Sequence, residues 1–325
     1  MKLRIAVIYG GRSGEHEISV RSAESIMQAM DESKYAILQY FISKEGKWRP
    51  VPILPEPDAH KDIDVAFPVL HGTFGEDGTV QGLLELADLP YVGAAVMASA
   101  IAMDKEMMKR VCRERGLPIV EYLTLERGEL TTLRNFNRFA FPVFVKPANL
   151  GSSVGISKAR NQDELNHALE LAAQYDRKII VERGIEGREF ECSVLGNANP
   201  EASLPCEILP SREFYDYEDK YILDQAKFEL PAKLMPKKTA ELRRLAVECY
   251  RAVECEGMAR VDFLLERSTG QLYINEINTI PGFTSISMYP KMWEHSGLAY
   301  PKLIDRLIEL ALERHAAKKA TRFTR

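Results

Sequence analysis

Near the end of the chain two polar triplets, Arg260-Val-Asp262 and Glu276-Ile-Asn278, interrupt runs that are otherwise apolar, and they constrain the fold more than any other feature. Each run reads as a strand, and Ser268-Thr-Gly270 between them reads as a hairpin turn. Residues i and i+2 of a strand share a face, so the hairpin gathers Arg260, Asp262, Glu276 and Asn278. Charges on an apolar strand are costly unless paired or bound to metal. Two carboxylates and an amide oxygen are hard ligands suited to Mg2+ held together with nucleotide phosphates. The alternative is a solvent-facing strand edge carrying salt bridges.

Upstream, Lys2–Tyr9 is a short apolar run stopped by Gly10-Gly11 and reads as a buried strand. Glu17–Met30 carries Ile18, Ile26, Met27 and Met30 at helical spacing; Tyr35–Ile42 and Ile63–Leu70 read as strands, and Val80–Ala87 as a short helix. Strands alternating with helices imply an α/β fold with a parallel sheet and crossover connections. Met103–Arg115 reads as a charged helix ending at Gly116-Leu-Pro118. Strands are expected at Val120–Leu125, Val143–Lys146 and Lys178–Glu182, with a helix at Asp163–Ala173. From Glu189 onward, strands Phe190–Leu195 and Leu204–Ile208 precede a polar, Tyr-rich stretch, Pro210–Lys227, without clean periodicity. Long loops of this kind are often active-site lids. Helix Lys237–Glu256, the hairpin strands Arg260–Glu266 and Gln271–Ile277, and two helices close the chain. A length of 325 residues predicts two or three domains, and the element pattern places them at 1–100, 101–184 and 185–325.

Composition narrows the class. Apolar residues at 46%, charged residues at 28% and a net charge of −4 describe an ordinary globular surface without the basic excess of a nucleic-acid or anionic-membrane binder. The first residues lack a signal peptide's apolar core and cleavage site, and nowhere do about 18 apolar residues run together. Cys112, Cys192, Cys206, Cys249 and Cys255 are odd in number and include no C-x-x-C pair, which argues against disulfides and structural zinc. The expectation is a reduced, cytoplasmic protein.

Three further segments carry chemistry. Lys146-Pro-Ala-Asn-Leu-Gly151-Ser152-Ser153-Val-Gly155 delivers a lysine from a strand into a Gly/Ser-rich turn whose N–H groups can cradle phosphate. It is not a Walker motif, because the lysine precedes the glycines. Lys105 is a second candidate phosphate cation, although a lone lysine is more often at the surface. In Val181-Glu182-Arg-Gly-Ile185-Glu-Gly-Arg-Glu189, a strand end exposes backbone groups and carboxylates suited to adenine and ribose. Finally, Gly10-Gly11-Arg-Ser-Gly-Glu15-His16-Glu17-Ile18-Ser19 and His71-Gly72-Thr-Phe-Gly75-Glu76-Asp77-Gly78 both follow strands, where open α/β sheets bind ligands. The first breaks the dinucleotide fingerprint and offers Glu15 and Glu17 for an ammonium group; Glu17 reads rather as a helix-start residue favoured by the dipole.

Taken together, these segments resemble the D-alanine–D-alanine ligase family of the ATP-grasp superfamily. The segments GG-x-S-x-EHEIS, HGTFGEDGT, MDK, KPANLGSSVG, YDYEDKY, RVDF and NEINTIPGFT-x-x-S stand in the family's order along nearly the whole chain. The resemblance implies a three-domain ATP-grasp architecture with an N-terminal Rossmann-like domain and ATP held between the second and third domains. It implies that Lys105, Lys146 and Lys220 contact phosphates, with Ser152, Ser153 and Asn275 beside them, and that Glu182, Arg183, Ile185 and Glu189 surround adenine and ribose. Asp262, Glu276 and Asn278 would bind two Mg2+ ions, a role Mn2+ can also fill. Glu15, with His71 nearby, would hold the first D-alanine's ammonium, and Ser287 the second's carboxylate. Arg260 and the backbone N–H of Gly282 would stabilise the tetrahedral oxyanion, and Tyr215–Tyr221 would close as the lid. The family also implies a homodimer.

Departures are few. Arg183-Gly184 stands where relatives often have a lysine and a bulky residue, implying a weaker adenine contact, and Met288 and Phe74 are positioned to reshape the second substrate's pocket. Tyr221 matches the dipeptide-forming pattern. The competing readings are a ligase using D-lactate or D-serine as acceptor, a non-catalytic nucleotide-binding regulator, and a Rossmann oxidoreductase.

Overall fold

The computed structural model describes residues 2–133, 136–151, 154–209, 227–284 and 286–322. Ser152, Ser153, Lys220, Tyr221 and the expected lid other than Lys227 lie outside the described residues.

Strands β1 (Leu3–Gly10), β2 (Tyr35–Ile42), β3 (Trp48–Arg49) and β4 (Val65–Pro68) form a sheet of order β3-β2-β1-β4. β1 runs parallel to both β2 and β4, as the alternating pattern predicts, and β3 adds an antiparallel edge. Helix α1 (His16–Ala29) follows β1, while α2 (Thr79–Leu86) follows β4. Both chemistry-bearing loops therefore leave the same end of the sheet. Ile5 and Val7 face one core, Ala6 and Ile8 the other, so successive β1 side chains alternate between two buried layers.

The expected helix Met103–Arg115 is α4 (Lys105–Glu114), and a further helix that the sequence did not announce, α3 (Val96–Met103), precedes it. Asp104 divides them: its extended backbone ends α3, and its carboxylate accepts from the Glu106 and Met107 N–H groups to cap α4. Strands β5 (Tyr122–Glu126), β6 (Val143–Pro147), β7 (Ser157–Ala159) and β8 (Lys178–Arg183) make an antiparallel sheet of order β5-β8-β6-β7. Helix α5 (Gln162–Tyr175) packs Leu165, Leu169 and Ala172 on Val143, Val145, Ile179 and Val181, leaving Lys146 and Glu182 on the opposite face.

The third sheet joins β9 (Gly187–Leu195), β10 (Glu201–Ala202), β11 (Cys206–Leu209), β12 (Lys227–Glu229), β13 (Met258–Glu266) and β14 (Leu272–Asn278) in the order β12-β11-β9-β13-β14, with β10 paired to β9. Helix α6 (Pro236–Ala252) covers one face, where Leu242, Leu245 and Ala246 join Val261, Phe263 and Ile274. It stops short of the expected Glu256 because the chain turns at Glu254, whose φ is +54°. Short strands β3, β7, β10 and β12 escaped the sequence reading because two to three residues carry too little periodicity. Lys227, expected as the last loop residue, instead opens β12.

Two helices, α7 (Met288–His295) and α8 (Tyr300–Lys319), close the chain as expected. α8 returns to the first sheet: Leu303, Ile304, Leu307 and Ile308 share a core with Ile5, Val7, Val65 and Phe67.

Candidate active site

The hairpin places the polar triplets as the i, i+2 argument requires. Arg260 stands opposite Asn278 and Asp262 opposite Glu276, with the apolar residues between them turned to α6. A bulge follows, since Asp262 pairs with Glu276 but Phe263 pairs with Ile274, leaving Asn275 as the extra residue. The bulge aims Asn275 at the cleft beside Glu276: its Oδ1 accepts from Lys146 Nζ at 3.2 Å. This hydrogen bond helps tie the second sheet to the third.

Arg260 grips Asp262 in a bidentate pair, Nε and Nη2 each 2.7 Å from a carboxylate oxygen, and Asn278 Nδ2 donates to Asp262 Oδ2 at 3.1 Å. Glu191 on β9, absent from the expected set, lies 3.3 Å from Arg260 Nε. Burial opposes the Arg260 charge, but Asp262 and Glu191 outweigh it and hold the guanidinium firmly protonated. Glu191 was legible in principle, because Glu189, Glu191 and Ser193 alternate along one strand.

Lys105, at the first turn of α4, donates to the Leu150 carbonyl at 2.7 Å and stands 3.3 Å from Glu276 Oε2. It joins the Gly-rich turn to the carboxylate pair, and is no ordinary surface lysine. Lys146 and Glu182 meet diagonally across β6 and β8 at 2.6 Å. The other oxygen of Glu182 lies 2.8 Å from Lys109, a fully buried lysine that the sequence reading passed over. Burial alone would raise the Glu182 carboxyl, but Lys109 and Lys146 hold it down at about 2. Both Glu182 oxygens are therefore engaged by cations at 2% exposure. Arg183 turns away to Glu266 at 2.7 Å and to the Tyr273 ring. A Cβ on Gly184 would lie 2.4 Å from the Pro142 carbonyl oxygen, so a bulky residue does not fit there in this chain. Ile185 is half-buried and Glu189 lies on β9 opposite Leu264.

The N-terminal loops reach the same region. A Cβ on Gly72 would fall 2.5 Å from Glu15 Oε2, and one on Gly151 would fall 3.5 Å from it, so the Glu15 carboxylate sits between the His71 loop and the Gly-rich turn. His71 is buried; its Nδ1 donates to the Ile280 carbonyl at 2.9 Å and its Nε2 meets Ser22 Oγ at 3.1 Å. Burial opposes a charge on His71, but Glu76 at 3.8 Å and Glu15 raise its pKa. Glu76 lines a cavity with Lys105, Gly151, Glu276 and Asn278, and burial together with Glu15 raises its carboxyl. Glu17 is exposed in the first turn of α1 and pairs with Lys44, the helix-start role expected.

Gly282 lies against Ser287: a Cβ there would fall 2.8 Å from Ser287 Oγ, which also accepts from the Thr284 N–H at 2.9 Å. Ser287 is the residue before α7. Met288 departs from expectation. Its side chain is buried, with Cys206 Sγ 3.7 Å from its sulfur and Met292 alongside, so it backs the Ser287 loop instead of opening to a substrate. Phe74 is exposed, with the Arg12 guanidinium 4.3 Å from its ring centroid.

Comparison with known proteins bears on all of these residues at once. The family description "D-ala D-ala ligase N-terminus" matches residues 4–62 and 50–94, and "D-ala D-ala ligase C-terminus" matches residues 111–309. The chain is 72% identical to a D-alanine–D-alanine ligase of Solibacter usitatus over 325 residues, the full length of both. It is 50% identical to one from Thermoanaerobacter sp. over 98% of each chain. Among solved structures, the D-alanine–D-alanine ligase of Coxiella burnetii superimposes with a TM-score of 0.84 at 38% identity, over 98% of this chain and 96% of that one. The VanG D-Ala:D-Ser ligase of Enterococcus faecalis does so with 0.87 at 34%, over 96% of this chain and 100% of that one.

Proposed function

The chain belongs to the D-alanine–D-alanine ligase family, and on that premise we propose how its residues join two D-alanines to D-alanyl-D-alanine for peptidoglycan precursor synthesis. The enzyme is an ATP-dependent ligase. A carboxylate is a poor electrophile, so ATP converts the first D-alanine to a D-alanyl phosphate, which the amine of the second attacks.

The observation that carries this reading is the buried group Lys109, Lys146 and Glu182: two cations share one anion, and the excess positive charge lies across the cleft from Asn275 and Glu276. A nucleotide polyphosphate supplies the missing negative charge. Lys105 and Lys146 contact the phosphates, with Ser152, Ser153 and Lys220 in support. Glu182, Arg183, Ile185 and Glu189 enclose adenine and ribose, with Glu182 acting chiefly through Lys146.

The donor set fits a divalent cation held jointly with phosphate. Asp262 and Glu276 oppose one another in register, and Asn278 is within hydrogen-bond reach of Asp262. These residues would supply hard oxygen ligands of the kind Mg2+ takes together with nucleotide phosphates. Asp262, Glu276 and Asn278 would hold two Mg2+ ions, which neutralise charge on the transferring phosphoryl group when bound.

Glu15 receives the first D-alanine's ammonium beside His71. Arg260 and the Gly282 N–H bind the developing oxyanion, a contribution of about 3–4 kcal/mol per donor. Ser287 and the first N–H groups of α7 receive the second substrate's carboxylate. Tyr221 and the lid around residues 210–227 exclude the water that would hydrolyse the acyl phosphate. In this reading the enzyme is a cytoplasmic homodimer, with domains at 1–100, 101–184 and 185–325, acting on no nucleic acid or membrane. The likeness to a D-Ala:D-Ser ligase favours D-serine as the second reading for the acceptor.

Hydroxylamine trapping tests the acyl phosphate. D-Alanine, MgATP and hydroxylamine yield D-alanyl hydroxamate with the wild type and none with Glu276→Ala. Hydroxamate formation by Glu276→Ala at the wild-type rate refutes the metal assignment.

A further inference from the structure

Resting on the reading of this cleft as the ATP site, we propose that Lys109 is a positioning residue: by holding one oxygen of Glu182, it leaves Lys146 its positive charge for the nucleotide phosphates. Lys105 and Lys109 are four residues apart on α4 and so share a helix face. Lys105 reaches the Gly-rich turn, while Lys109, one turn on, reaches β8 with its Nζ 2.8 Å from Glu182 Oε1. The Lys109 side chain is 0% exposed; burial pulls its pKa below the usual lysine value and Glu182 opposes that pull, the charged pair being favoured by the 2.8 Å contact. Placing an ammonium there costs several kcal/mol before any pairing, whereas a neighbour that serves packing alone, such as Met108, carries no charge. A packing role therefore does not account for a lysine.

The geometry does. Glu182 bridges two lysines, its oxygens 2.8 Å from Lys109 and 2.6 Å from Lys146; Lys146 also donates to the Asn275 amide oxygen at 3.2 Å and feels the more distant charges of Glu276 and Glu189. With Lys109 present, one carboxylate is divided between two ammonium groups. Without it, Glu182 and Lys146 form a one-to-one pair whose charges cancel, and Lys146 attracts phosphate less. Lys109 thus acts without touching substrate, through Glu182, and its effect belongs to ATP and not to D-alanine, which binds beside Glu15.

Steady-state kinetics and direct MgATP titration of the full chain test this. Lys109→Met raises the MgATP KM about ten-fold or more, the scale of removing one member of a buried charge set, while the D-alanine KM stays within about two-fold. Lys109→Arg restores most of the loss. Lys109→Gln, which keeps a donor but no charge, makes the same prediction should the Met variant not fold. In a Glu182→Gln background, Lys109→Met changes MgATP affinity little, because an amide does not neutralise Lys146. Equal rises in both KM values, no rescue by Arg, or an undiminished Lys109→Met effect in the Glu182→Gln background overturns the proposal. The titration reads MgATP affinity whether or not ligation occurs, so failure of the ligase reading is distinguishable from failure of this one.

Discussion

Glu182, held by two lysines away from water, gives the protein an acid-sensitive charge. Its folded carboxyl titrates at about 2 against an ordinary 4.5, because Lys109 and Lys146 overcome its burial. The folded pKa is depressed, so the stabilisation is fully present above pH 4.5 and is lost as pH falls toward 2. Unfolding midpoints measured across that window fall more steeply for the wild type than for Glu182→Gln; parallel curves contradict the assignment. Beside the His71 loop, Glu15→Gln weakens D-alanine binding by about ten-fold, the cost of losing a charge-assisted hydrogen bond, and leaves MgATP affinity nearly unchanged. Isothermal titration with each substrate separates the two, and equal losses count against Glu15 as the ammonium's partner.

At the scale of elements, glycines and a bulge set the site's geometry. Gly10 ends β1 at φ +93°, where an added Cβ would lie 2.2 Å from the Ile42 carbonyl oxygen. Gly10→Ala therefore costs about 1–3 kcal/mol in denaturant unfolding, since both the conformation and the space resist it; an unchanged midpoint contradicts the strain. The hairpin was legible because period-2 alternation places Arg260, Asp262, Glu276 and Asn278 on one face whatever lies elsewhere. The bulge at Asn275 was not, because an extra residue leaves no mark on an alternation read one strand at a time. Lys109 was hidden for another reason: on a charged helix it looks like a solvated lysine, and only β8 arriving from about 70 residues later makes it buried. Asp104 carried its capping signal openly, ahead of Lys105-Glu106, whereas α3 was missed because its eight residues, Val96–Met103, are apolar almost throughout and show no helical period.

Across the whole molecule, the order of the chain and the order of packing differ. Sequence pattern places residues 1–100 as a unit, yet one face of its sheet is buried by α8 from the other end of the chain. Leu303, Ile304, Leu307 and Ile308 are at most 1% exposed. Burying four such side chains stabilises by about 6–12 kcal/mol, comparable to the entire stability of a domain. A chain ending at Leu298 accordingly loses cooperative urea unfolding; retention of the full-length transition contradicts a shared core. The Ile280 carbonyl meets His71 and the Phe283 N–H meets Ser22, so the His71 loop and helix α1 depend on long-range packing that no local pattern records.

The enzyme activates one D-alanine with ATP and passes it to a second. The direct measurement is phosphate release from MgATP with D-alanine alone, L-alanine alone, or D-alanine with D-serine or D-lactate, products being identified by mass. Release is expected to require D-alanine, with D-alanyl-D-alanine as product even when the other acceptors are present. Release without any D-amino acid, or product only when D-serine or D-lactate is supplied, contradicts it.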